Sequence, residues 1–213
     1  MEIITHRGID YVQGHIPVEN NLAEQVEDNI SLFFPDATDD YDYWHSAMYY
    51  NGQIWEHVPD TKIILYLARD ALLLQNKNPD DYYAKCWVNI WPRDQYISYH
   101  LHWGVYSGYY VLRDTGTSTL YEWDEHHIHE VPNSTGHFLS IDSKIRHRTT
   151  TNTSDTLRIG LAYTLTTEKD MEHEIQHVKR IMHEQGTDGF RTRQFDKKGN
   201  LVLRESYFPL KNI

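Results

Sequence analysis

The sequence predicts a mainly β domain, a sandwich or barrel, with helices on its flanks. Three observations lead there. Between Tyr82 and Leu165, short aromatic or β-branched runs alternate with turn residues at the spacing of antiparallel strands. Six Trp and 16 Tyr suit half-buried pleated surfaces and aromatic-lined pockets. Helical periodicity is confined to segments before and after this region.

Residues 1–16 read as a short strand punctuated by Gly8 and Gly14. From Pro17 to Phe34, Leu22, Val26, Ile30 and Phe33 keep helical spacing, and Pro35-Asp36 ends the segment. An acidic loop, Asp36–Asp42, precedes an aromatic stretch over 43–58 with the hairpin signature Asn51-Gly52. Asp60 caps a second helix reaching about Gln75, with Ile64, Leu67, Ala71 and Leu74 on its apolar face. The expected strands are Cys86–Trp91, Ile97–Trp103, Tyr106–Leu112, Ser118–Trp123, His137–Ile141 and Arg158–Leu165. A third helix opens at Thr167, with Asp170 three residues on as a relative of the capping box. Met171, Ile175, Val178 and Met182 form its stripe and Gly186 its stop. The tail, Phe190 to Phe208, reads as a hairpin turning at 196–200.

The 213 residues are therefore expected to form one domain: helical support over 1–81, a β core over 82–165, and a helix with a hairpin over 166–213. No apolar run is long enough to span a bilayer and no charged-then-apolar leader is present, so no membrane partner is expected. The lone Cys86 rules out a disulfide framework and makes a cytoplasmic location the default. A net charge of −11 disfavours duplex nucleic acid as a partner. The acidity is concentrated: residues 1–60 hold 12 Asp/Glu against the lone Arg7. The sequence carries no indication of oligomeric state.

Chemistry is densest around His100-Leu101-His102. On a strand, positions i and i+2 share a face, so both imidazoles would enter one space. Imidazole is the commonest protein ligand for mid-row divalent metals, and His147 offers a distant third donor. Arg158 follows eleven residues later and could grip a carboxylate through two charge-assisted bonds.

Trp87-Val88-Asn89-Ile90, His100-Leu101-His102 and Ser107-Gly108-Tyr109-Tyr110-Val111, with Gly136–Ser140, His147 and Arg158–Leu161, resemble the iron(II)- and 2-oxoglutarate-dependent oxygenases. The similarity covers residues 85–165 and is strongest to small microbial and phage-type members of that family. It implies a double-stranded β-helix (jelly-roll, cupin-like), with Fe(II) held by His100, His102 and His147 and Arg158 on the distal carboxylate of 2-oxoglutarate. Asn89, Tyr99, Tyr109 and Tyr163 are further candidates for the cosubstrate pocket. The implied reaction uses O2 to hydroxylate a small molecule, amino acid or peptide, releasing succinate and CO2.

Where this family usually carries His-x-Asp or His-x-Glu, the chain has His100-Leu101-His102. Three readings stay open: three histidines, a carboxylate lent by Asp124 or Glu122, or a His102-x-Gly104 site resembling the iron halogenases. His173-Glu174-Ile175-Gln176-His177 fits the zinc-peptidase pattern H-E-x-x-H, with Glu174 as base and His183 at the third-ligand position. The longer motif needs Gly where Arg180 stands, and an unbroken helix carries His183 about 240° round from His177. The cluster 125–130, rich in His and Glu, reads as a solvated loop. A non-catalytic jelly-roll binding module is the remaining alternative.

Overall fold

The computed structural model describes residues 1–33, 54–124, 126–185 and 206–213, and the side chains of 181–185 are not among them. The expected loop Asp36–Asp42, the Asn51-Gly52 turn, the Gly186 stop and the tail turn at 196–200 lie outside the described residues, and so do the side chains of Met182 and His183.

The N-terminal segment is a hairpin rather than one strand: β1 (Glu2–His6) and β2 (Ile9–His15) turn at Arg7-Gly8. Both turn residues have positive φ, 51° and 79°, the twist that a two-residue hairpin needs. The helix expected from Pro17 is broken into α1 (Leu22–Asp28) and α2 (Ile30–Phe33), with Asn29 closing the first piece. A 3₁₀ turn at Pro59–Lys62 leads into α3 (Ile63–Leu74), where Ile64, Leu67 and Ala71 are buried as the periodicity requires and Leu74 remains exposed. The Asp60 side chain does not cap this helix; it accepts from Asn20 and Gln25 instead.

Eight further strands complete two sheets with the N-terminal hairpin: β3 (Tyr82–Trp91), β4 (Tyr106–Arg113), β5 (Ser118–Asp124), β6 (His127–Pro132), β7 (His137–Asp142), β8 (Arg146–Thr149), β9 (Arg158–Thr167) and the short β10 (Phe208–Pro209). The larger sheet runs β1-β2-β7-β4-β9-β3-β10 and the smaller β6-β5-β8. Every paired strand is antiparallel.

Among the departures from the sequence reading in the β core, which include the unexpected β8, two are informative. Ile97–Trp103 is not a regular strand; it is an extended stretch laid along β8, with one isolated bridge between His100 and His147. Its bonds are His100 N to His147 O (3.0 Å), the reciprocal pair (3.1 Å) and Thr149 N to Ile97 O (3.1 Å). The aromatic texture of this stretch reads as strand, yet Leu101 and Trp103 stand half in solvent. The 125–130 cluster is the second departure: from His127 it is β6, register-locked to β5. Its partly buried positions are His127 and His129 while Ile128 stands exposed, so the apolar face of a strand is missing.

β3 is buried along nearly its whole length, as expected of a central strand covered on both faces. Cys86, Val88 and Ile90 join the core beneath α1 and α3, whereas Trp87, Asn89 and Trp91 face the space between the sheets. That inter-sheet space is closed at one end by Tyr11, Leu139 and Ile141 packed on Tyr121 and Val131. α4 (Glu168–Gln185) packs Met171, Ile175 and Val178 on Tyr83 and Tyr207. Thr167 caps it: Oγ1 accepts from the Asp170 amide at 3.3 Å and donates to the Asp170 carboxylate at 2.7 Å. Thr167→Ala is expected to cost about 1 kcal/mol, measurable as a lower midpoint in urea unfolding.

Candidate metal and cosubstrate site

The smaller sheet places the histidines. β8 turns His147 and Thr149 inward, and the stretch beside it brings His100 and His102 to the same end of the cavity. His100 Nδ1 bonds the Ser98 carbonyl and His147 Nδ1 the Ile145 carbonyl, each at 2.9 Å. Backbone contacts of this kind fix the ring tautomer and leave Nε2 as the free donor. His102 Nε2 lies 3.3 Å from His147 Nε2. One donor atom from each of the three rings falls within 4.8 Å of the others, the only such group among the described residues.

Burial pushes the His147 imidazole down to about 4, helped by the neighbouring His100, and likewise holds His102 well below its usual value and His100 below it. Neutral imidazoles at pH 7 are ready metal donors. The unfolded chain takes up these protons near pH 6.5 and the folded one resists until about 4, so stability is lost as pH falls through that window. Melting of the metal-free protein is therefore expected at a progressively lower temperature from pH 7 to pH 4.5.

Arg158 opens β9 at the other side of the same cavity and is 4% exposed. Its guanidinium stacks over the Trp91 ring at 4.3 Å, while Nε and Nη1 are buried without a hydrogen-bond partner. Burial lowers its pKa to about 10, still far above neutrality, so the group stays charged. A buried cation with two idle donors calls for an anion, because an unpaired charge in such a place costs several kcal/mol or more.

Asn89 lines the cavity and its Oδ1 accepts from the Trp87 indole at 3.1 Å. Tyr109 lines it too, beside Tyr121, and burial raises the pKa of both phenols. The other two tyrosines are elsewhere. Tyr99 lies between the Arg146 and Arg148 guanidiniums, 4.9 and 5.2 Å from its ring, and is not in the cavity wall. Tyr163 stacks on Phe138 in the core under the helices. Both fall outside the cavity lining for the same reason: each is one residue out of phase with a cavity-facing neighbour, His100 and Ala162. Trp91 and Tyr121 are cavity residues that the sequence reading did not single out, although Trp87-Asn89-Trp91 already displays the i, i+2 rhythm.

The open alternatives receive geometry as well. Glu122 is held by Arg146 at 3.0 Å and Asp124 by His127 at 2.7 Å, and neither joins the imidazole group. Gly104 has φ 113°, and a Cβ there would sit 2.6 Å from the Leu165 carbonyl oxygen. Close backbone packing thus accounts for that glycine. Glu174 is buried against Lys85 (3.9 Å) and the Tyr207 hydroxyl, His173 is exposed, and His177 rests on the Trp103 ring. The H-E-x-x-H residues are not drawn together as ligands.

The cavity has a volume of about 400 Å³ between the two sheets. Solved structures similar to this one include EvdO2 from Micromonospora carbonacea var. aurantiaca, matched over 78% of this chain and 94% of that one at 13% identity and TM-score 0.54. The fold is a double-stranded β-helix. The non-haem α-ketoglutarate-dependent epimerase SnoN of nogalamycin biosynthesis aligns over 74% and 76% of the two chains at 10% identity and TM-score 0.54. A nickel complex of the non-haem monooxygenase ThoJ aligns over 74% and 73% at 13% identity and TM-score 0.52. No protein-family model matches the sequence, and no curated protein matches it. Among the described residues, no helix of this double-stranded β-helix is long and apolar enough to cross a membrane.

Proposed function

We propose that the chain is a non-haem iron(II)- and 2-oxoglutarate-dependent oxygenase that hydroxylates a substrate in the cavity between its sheets. The observation that carries this reading is the pairing of three converging imidazoles with a buried, half-idle guanidinium in one cavity. His100, His102 and His147 would hold iron(II) through neutral nitrogen donors, a set suited to mid-row divalent metals. Arg158 would bind the distal carboxylate of 2-oxoglutarate through Nε and Nη1, gaining the counter-charge it lacks. Trp91 stacks on the guanidinium and keeps its plane fixed. Asn89, oriented by Trp87, and the neutral phenol of Tyr109 would supply directional hydrogen bonds beside the cosubstrate.

Iron(II) with 2-oxoglutarate and O2 supplies oxidation of an unactivated C–H bond, with succinate and CO2 as co-products. The protein's part is positioning: it holds the reactants at fixed separation and walls them from water with aromatic and aliphatic side chains. The expected partner is a small-molecule or peptide substrate, and the expected setting is the cytoplasm. Hydroxylation is favoured over halogenation because Gly104, the residue the halogenase reading needs, faces the Leu165 backbone.

The reading is tested by adding iron(II) and 2-oxoglutarate anaerobically and recording the weak visible band of the chelate, then measuring succinate after admitting air. A band and succinate support it. No band, and no difference between the wild type and His147→Ala, would leave a binding module as the better description.

A further inference from the structure

We propose that the part of the substrate entering this cavity is uncharged: an aromatic or aliphatic ring with hydroxyl or carbonyl groups, not a zwitterionic amino-acid head or a charged side chain. The inference rests on the oxygenase reading for the occupancy of the site and goes beyond it in naming the chemistry of the second ligand.

The wall of the cavity, among the described residues, contains no Asp, no Glu and no Lys. Its one permanent charge is Arg158, and that charge is balanced once a cosubstrate carboxylate lies against it. The three imidazoles are committed to the metal. An ammonium would then be buried with no carboxylate to pair it, and a second carboxylate would find the guanidinium and the metal, its two counter-charges, already engaged by the cosubstrate. Either ion is disfavoured in such a site.

What remains of the wall is aromatic and aliphatic, including Trp87, Tyr121, Ile141 and Leu161, so an apolar ring is the matching occupant. Neutral polar groups are interleaved: Ser107, Thr119 and Thr149 each line the cavity. They can meet hydroxyl or carbonyl oxygens without needing a counter-ion.

The rim supports the same assignment. Tyr96 and Leu101 belong to the cavity lining yet are 51% and 54% exposed. Leu101 lies on the irregular stretch that carries His100 and His102, and Tyr96 immediately precedes it. Apolar surface left in water at a cavity mouth gains by being covered, and an apolar ligand covers it.

The test uses protein loaded with nickel(II) and 2-oxoglutarate, which binds but does not turn over, and three probes of one shape. These are 2-naphthol (neutral), 2-naphthoate (anionic) and 2-naphthylmethylammonium (cationic), titrated by calorimetry at pH 7. The expected result is that 2-naphthol binds about tenfold or more tightly than either ion. In protein lacking 2-oxoglutarate, 2-naphthoate is expected to bind and to be displaced by 2-oxoglutarate, because both seek Arg158. Tyr96→Asp is expected to narrow the gap between the neutral and cationic probes by placing a carboxylate at the rim.

Equal binding of a charged probe to the loaded protein overturns the proposal. So does failure of all three probes to bind while the iron(II) and 2-oxoglutarate chelate band still forms. If instead no chelate band forms but the metal-free protein prefers 2-naphthol to the cation, the oxygenase reading falls and the charge preference stands.

Discussion

A His147→Ala variant is expected to lose iron(II) affinity by about a hundredfold or more, and succinate formation with it. Removing a group that merely orients a metal ligand costs 10- to 100-fold in comparable sites, so removing the ligand itself costs more. His147 is also the member best fixed by the fold. It lies on β8, is bridged to His100, and is tethered through Nδ1 to the Ile145 carbonyl. Its loss leaves His100 and His102 on one irregular stretch, without the donor that faces them from the sheet. Competition with a coloured chelator measures the affinity directly. An unchanged affinity would mean that the three imidazoles meet for some other reason. Far-ultraviolet circular dichroism should match the wild type, because an alanine on β8 keeps every backbone bond of the ladder.

Arg158→Met should act with opposite sign on two measurements. Affinity for 2-oxoglutarate is expected to fall by roughly a hundredfold to a thousandfold, the scale of removing one partner of a buried charge pair. The ligand-free protein, in contrast, is expected to be as stable as the wild type or more stable, by as much as about 1–4 kcal/mol in chemical unfolding. The free protein carries the cost of burying a guanidinium whose Nε and Nη1 have no partner, and methionine of similar reach removes that cost while still packing on Trp91. A purely structural arginine would show the reverse: weaker folding and unchanged ligand affinity. Running both measurements on one variant separates the two roles.

The amino-acid pattern carried most of the β architecture and much less of its borders. β3, β4, β5, β7 and β9 are legible because buried apolar residues dominate them. β8 is not, since Arg146, His147 and Arg148 offer no apolar alternation, and pairing with β5 makes it a strand. The same holds for β6, whose partly buried positions are His127 and His129 in place of apolar residues, so that pairing with β5 makes it a strand. The periodicity from Pro17 runs through Asn29, where the helix breaks, because apolar spacing carries no signal for that break.

At the site, residue identity was a better guide than local structure. His100 and His102 do face the cavity together, though on a stretch that is no regular strand, because extended backbone alternates whether or not it is hydrogen-bonded on both edges. Tyr99 and Tyr163 fail on the parity of that same alternation. The bare guanidinium of Arg158 could not be foreseen, since whether a buried donor finds a partner depends on the whole cavity wall.

The stretch that carries His100 and His102 is fastened to β8 by a handful of backbone bonds and has no ladder of its own. Local separation of such a seam needs far less free energy than global unfolding. Peeling it back would withdraw two donors in one motion, leaving the ion on a single imidazole. Ion escape should therefore keep pace with amide hydrogen exchange at positions 100 and 102, and a bound ion should slow both together by stapling the seam shut.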